Sequence, residues 1–116
     1  DTASDDAIAL LLAVRDPNAD VRAVTVVAGN VPLDLAVRNA IVTLDICGGA
    51  DIPVFAGRDR PLHRPLDTAQ WVHGQDGMGG ADLPEPSRGP YEVVLTRFGR
   101  RDVDQGRHGV PLVRST

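Results

Sequence analysis

The stretch Val21-Arg22-Ala23-Val24-Thr25-Val26-Val27, running into Ala28-Gly29-Asn30, decides the fold. Residues 21–27 are β-branched and apolar, with Arg22 near the edge. A run that is apolar on both faces belongs to a strand covered on both sides, as in parallel sheets. Downstream, Leu33, Val37, Ala40, Ile41 and Leu44 recur at helical spacing, and Gly48-Gly49 supplies the stop. Ile52-Pro53-Val54-Phe55 predicts a second short strand leading into Ala56-Gly57. Upstream, Ser4 reads as the N-cap of a helix over residues 5–15, ended by Asp16-Pro17-Asn18. That helix is apolar on nearly every side, which predicts that it is largely buried. Helix, strand, helix, strand is the alternation of a doubly wound α/β sheet.

Composition agrees with this reading. With 116 residues, 42% hydrophobic and only 3% aromatic, the core must be aliphatic, built from Val, Leu, Ile and Ala in layered helices and strands. The formal charge of −4 argues against nucleic acid as a partner, because that binding rests on counterion release from a basic surface. No run approaches the roughly 20 apolar residues that cross a bilayer, so no membrane partner is expected. No secretory leader is visible, and the single Cys47 fits a reducing cytoplasm. All 12 basic residues are arginine.

The charge is unevenly placed. Residues 1–87 hold six arginines against thirteen acids, a net −7, whereas residues 88–116 hold six against three, a net +3. The chain is therefore read as one domain portion over residues 1–87 followed by a divergent or frame-shifted tail over 88–116. Between them, from Arg58 to Pro90, periodicity gives way to five prolines framing a glycine-rich centre, HGQDGMGG, at 73–80. A loop this long inside a compact domain is usually functional or disordered. The tail opens on a strand-like YEVVL at 91–95.

Three features carry chemistry. Asp1, Asp5 and Asp6 stand at the start of the first helix, at the kind of junction where open α/β sheets bind ligands. Their mutual repulsion calls for a cation, and an all-oxygen donor set selects calcium or magnesium over zinc. Acids in a first helical turn also complement the helix dipole, and the residues alone leave both readings open. Asn30 ends the first strand, where it either faces the ligand crevice or shapes a turn. His73 opens the glycine loop and is either a substrate contact or a solvated ring. A nucleophilic aspartate pair of the haloacid-dehalogenase kind is excluded by spacing, since Ala3 stands two residues after Asp1.

Together DTASDDA at 1–7, TVVAGN at 25–30, PVFAG at 53–57, RPL at 64–66 and HGQDGMGG at 73–80 resemble, in order and spacing, the inosine–uridine-preferring nucleoside hydrolase family. The resemblance covers about residues 1–87. It implies the N-terminal portion of a doubly wound, mostly parallel-sheet fold, with the first strand and the later part missing. It also implies calcium-dependent hydrolysis of the N-glycosidic bond of ribonucleosides to ribose and free base, in purine and pyrimidine salvage. By resemblance Asp1 and Asp6 match calcium ligands, Asp5 the general base on the attacking water, Asn30 a ribose-pocket residue and His73 a substrate-loop histidine. Such a reaction passes through an oxocarbenium-like state, for which negative charge near the sugar, a held water and a base are the required parts. The partner is a small ribonucleoside, and full-length members form homodimers or homotetramers. The later motifs of the family are absent, so the chain is expected to be incomplete and inactive by itself. The alternative is a non-catalytic relic or interaction module that retains half a metal site.

Overall fold

In a computed structural model of the chain, residues 1–92 and 114–115 are described. Among the described residues three helices and four strands follow in order: α1 (Ser4–Arg15), β1 (Val24–Val26), α2 (Leu33–Cys47), β2 (Val54–Ala56), α3 (Gln70–His73), β3 (Tyr91–Glu92) and β4 (Arg114–Ser115). The strands form one sheet in the order β1-β2-β3-β4. The first two pair in parallel, with Val24 opposite Val54, Thr25 opposite Phe55 and Val26 opposite Ala56. Phe55 pairs with Tyr91 in the next parallel step, and β4 closes antiparallel on β3.

The helix–strand–helix–strand order and the parallel pairing are as the sequence predicts. Strand β1 is shorter than the 21–27 run, because pairing stops where β2 stops: Val24 N–H donates to Pro53 O (2.9 Å) and Gly57 N–H to Val26 O (2.7 Å). Arg22 stays outside, in an exposed ion pair with Asp20. Of the YEVVL reading, only Tyr91 and Glu92 fall within the described residues, and both are strand. Most of the 88–116 segment lies outside them. The ring of Tyr91 sits 6.0 Å from that of Phe55 and 5.7 Å from the Arg88 guanidinium carbon.

Helix α2 is the spine. It packs on α1, β1 and β2, and Val37, Ala40, Ile41 and Leu44 form the core with Val26, Val31, Ala36, Cys47 and Val54. Burying a side chain the size of Ile41 or Leu44 stabilises by roughly 1.5–3 kcal/mol. The helix stops where expected: Gly48 takes a left-handed conformation, φ 86°, that a side chain would oppose.

Helix α1 departs from expectation twice. Ser4 is not the N-cap but the first helical residue; the cap position belongs to Ala3, which is extended and makes no side-chain cap bond. Nor is α1 largely buried. Ala7 is its one buried residue, while Ile8, Leu11 and Leu12 are exposed at 62%, 41% and 62%. A helix apolar all round needs cover on every side, and here α2 covers one side. No helix among the described residues is long and apolar enough to cross a membrane.

Candidate functional site

The first residues pass beside the bend that follows β1 and lead into α1. Thr2 and Ala3 are buried, and Ala3 O accepts the first helical bond from Ala7 N–H at 2.9 Å. This plants Asp1 on one side of the turn and Asp5 and Asp6 on the other. Asp1 Oδ2 accepts a 2.6 Å hydrogen bond from Asn30 N–H, joining the two segments across 29 residues. Asp6 Oδ2 lies 3.5 Å from the Asp1 nitrogen. Asp5 points outward, its side chain 67% exposed.

His73 is no solvated loop residue. It ends the short α3, which begins next to Asn30, whose carbonyl accepts from Ala69 N–H at 2.8 Å. Its side chain is 14% exposed and Nδ1 lies 3.9 Å from Asp5 Oδ1. Ser4 Oγ, released from capping, sits 2.9 Å from the same Nδ1. Asp1, Asp5, Asp6, Asn30 and His73 therefore gather in one neighbourhood from three stretches of chain. In Asn30 the backbone makes the contact to Asp1.

The glycine loop that follows is internally bonded. The Asp76 carboxylate accepts from Met78 N–H (3.0 Å) and twice from Gly80 N–H (3.1 Å each). Those amides, Met78 first and Gly80 second, hold the Asp76 carboxyl below its ordinary value of 3.8. Gly79 N–H donates to His73 O at 2.7 Å. Met78 joins Ser4, Ala7, Ile8, Leu11, Thr43 and Ile46 around a cavity of about 300 Å³.

Asn39 escaped the sequence reading. It is fully buried on α2, and its Nδ2 donates to Thr2 O (3.2 Å) and Asp76 O (2.9 Å). The available signal was a polar residue among Ala36, Ala40 and Thr43 on a small-residue face, since asparagine is disfavoured inside helices.

Calcium suits the donor type here, because Asp1 and Asp6 offer hard carboxylate oxygens. The number is short: among the described residues no three His, Cys, Asp or Glu side chains converge on a metal position. Calcium takes about 6–8 oxygens, more than these two carboxylates offer.

A mostly parallel α/β sheet with acids and an asparagine gathered beyond its strand ends defines an α/β protein of the kind that binds ligands at such a crevice. The chain belongs to the inosine-uridine preferring nucleoside hydrolase family, whose profile matches residues 1–114, beyond the charge change at residue 87. An uncharacterised protein of Schizosaccharomyces pombe is 51% identical over 98 residues, 84% of this chain and 32% of that protein. The pyrimidine-specific ribonucleoside hydrolase RihA of Citrobacter koseri is 47% identical over 113 residues, 97% of this chain and 36% of the relative. Among solved structures, a purine-preferring ribonucleoside hydrolase from Gardnerella vaginalis superposes with a TM-score of 0.72 at 26% identity, covering 78% of this chain and 30% of that one. An inosine-guanosine nucleoside hydrolase superposes at 0.65 with 42% identity, covering 73% and 26%. The chain thus spans about a third of the length of the curated relatives it matches.

Proposed function

We propose that the chain carries the metal- and water-binding corner of a calcium-dependent ribonucleoside hydrolase, which cleaves the N-glycosidic bond to ribose and free base. The observation that carries this reading is the gathering of Asp1, Asp5, Asp6, Asn30 and His73. Asp1 and Asp6 are the calcium ligands. Asp5, the most outward of the three acids, is the general base that takes the proton of the attacking water. Asn30 and His73 bind the ribonucleoside. When bound, calcium supplies charge that orients water and ribose hydroxyls and eases loss of the water's proton.

The chain's own residues prepare that chemistry. The Asn30 N–H fixes one oxygen of Asp1 and leaves the other free. Ser4 holds His73 beside Asp5, so a base and a second titratable group face one space. Negative charge along this edge favours a sugar that becomes cationic as the bond breaks. The names of the relatives divide between pyrimidine-specific and purine-preferring enzymes, which supports the ribonucleoside class without choosing the base. Assembly into a homodimer or homotetramer, a place in nucleoside salvage and a cytoplasmic location belong to the same proposal. A single buried free thiol, Cys47, agrees with the last.

The lack of a three-donor cluster among the described residues favours a second reading, a non-catalytic chain with half a metal site. Incubation with calcium and inosine or uridine, followed by chromatography of the released base, separates the two. Base release that disappears in Asp5→Ala supports the hydrolase. Calcium binding without turnover supports the half-site, and neither binding nor turnover sinks both.

A further inference from the structure

Asn39 lies on α2, which holds none of the residues assigned to the site, yet its side chain touches two of the segments that border it. One amide nitrogen donates to Thr2 O, in the segment bearing Asp1, Asp5 and Asp6, and to Asp76 O, in the loop following His73. Each partner is 37 residues away in sequence. We propose that Asn39 is a positioning residue that holds residues 1–6 and the glycine loop, residues 74–80, in one register, so that they shift together. The proposal rests on reading those segments as the site.

Three observations support it. Asn39 is fully buried, and its Oδ1 has no hydrogen-bond donor among the described residues. An apolar side chain would avoid that orphaned acceptor, so the amide is retained for its two donated bonds. The loop also comes close at this point only because residue 77 is glycine. A Cβ on Gly77 would stand 3.1 Å from Asn39 Nδ2 and 2.6 Å from Val31 Cγ1, with the backbone at φ 73°. Finally, both bonded carbonyls belong to irregular segments, where few neighbouring backbone bonds would otherwise fix them.

The test is amide NMR on the whole chain, comparing Asn39→Ala with Val54→Ala. Val54 is fully buried, so its truncation lowers stability without touching either segment. In Asn39→Ala the Asn30 amide proton, deshielded by its 2.6 Å bond to Asp1, should move upfield. The Gly80 amide, bonded to Asp76, should move in the same spectrum, and both should exchange with solvent roughly tenfold faster. Val54→Ala should lower the melting temperature and leave both native shifts in place. An Asn39→Ala spectrum in which only one of the two amides moves overturns the proposal. If Asn39→Ala does not fold, Gly77→Ala presses on the same joint from the loop side. There the Asn30 amide should again move, and an unchanged one overturns the proposal. No calcium or nucleoside is added, so failure of the hydrolase reading leaves this outcome unaffected.

Discussion

The carboxylate of Asp1 is bonded to the backbone N–H of Asn30 at 2.6 Å, and this contact ties the start of the chain to the bend that follows β1. Gly29 makes it possible. A Cβ on Gly29 would overlap the Asp1 carboxylate itself.

Gly29→Ala should therefore displace Asp1 while leaving the helices intact. Overpacking of this kind costs about 1–3 kcal/mol. Thermal unfolding should show the loss, and calcium titration by calorimetry should show weaker binding than the parent chain. An unchanged melting temperature would mean that Asp1 swings aside freely.

In a full-length hydrolase that contains this portion, Asp5→Ala should reduce base release by roughly 10²–10⁴-fold, the range for loss of a general base. Its side chain is 67% exposed, so the melting temperature should scarcely change. Near-normal turnover would remove Asp5 from the mechanism.

Ser4→Ala removes the hydroxyl beside His73. A part-buried hydrogen bond of this sort contributes about 0.5–1.5 kcal/mol. Hydrogen exchange at Gly79, whose amide donates to His73 O, should quicken, while core amides of α2 keep their protection until global unfolding. Uniform acceleration across the chain would argue against a local latch.

The glycine loop should be acid-sensitive. Folding depresses the Asp76 pKa below 3.8 through the Met78 and Gly80 amides. A depressed folded pKa gives stability that is complete above the unfolded value and lost as pH falls through the folded one. Loop amide shifts should thus be constant from neutral pH down to the ordinary carboxylate range and change below it. Asp76→Asn should lose this transition, and a transition that survives the substitution belongs to another acid.

Leu44→Ala should destabilise by about 2–5 kcal/mol, because Leu44 is fully exposed to packing and not to water, at 0% accessibility. Denaturant unfolding measures it directly. A smaller loss would mean that the α1–α2 contact closes over the cavity.

The aliphatic periodicity of residues 33–44 and the β-branched run at 21–27 carried the α/β order, because both signals are local. Ser4 misled: its hydroxyl has a partner 69 residues away in His73, and capping statistics contain no such competitor. Burial of α1 was overread for a related reason. Apolar residues such as Ile8 and Leu12 announce a need for cover, whereas the packing of this chain decides how much is supplied. Of the site, the acids were legible as a cluster, and their link to Asn30 and His73 required the fold. Asn39 stayed hidden because one polar residue barely disturbs a helical period.

Asp76 fills the amide nest of its own loop. In glycine-rich loops such N–H groups form the cradle for a phosphoryl anion. Here the anion is built in, and its charge repels a second one arriving from solution. The donors of this loop are thereby taken up by its own carboxylate and closed to a phosphoryl group.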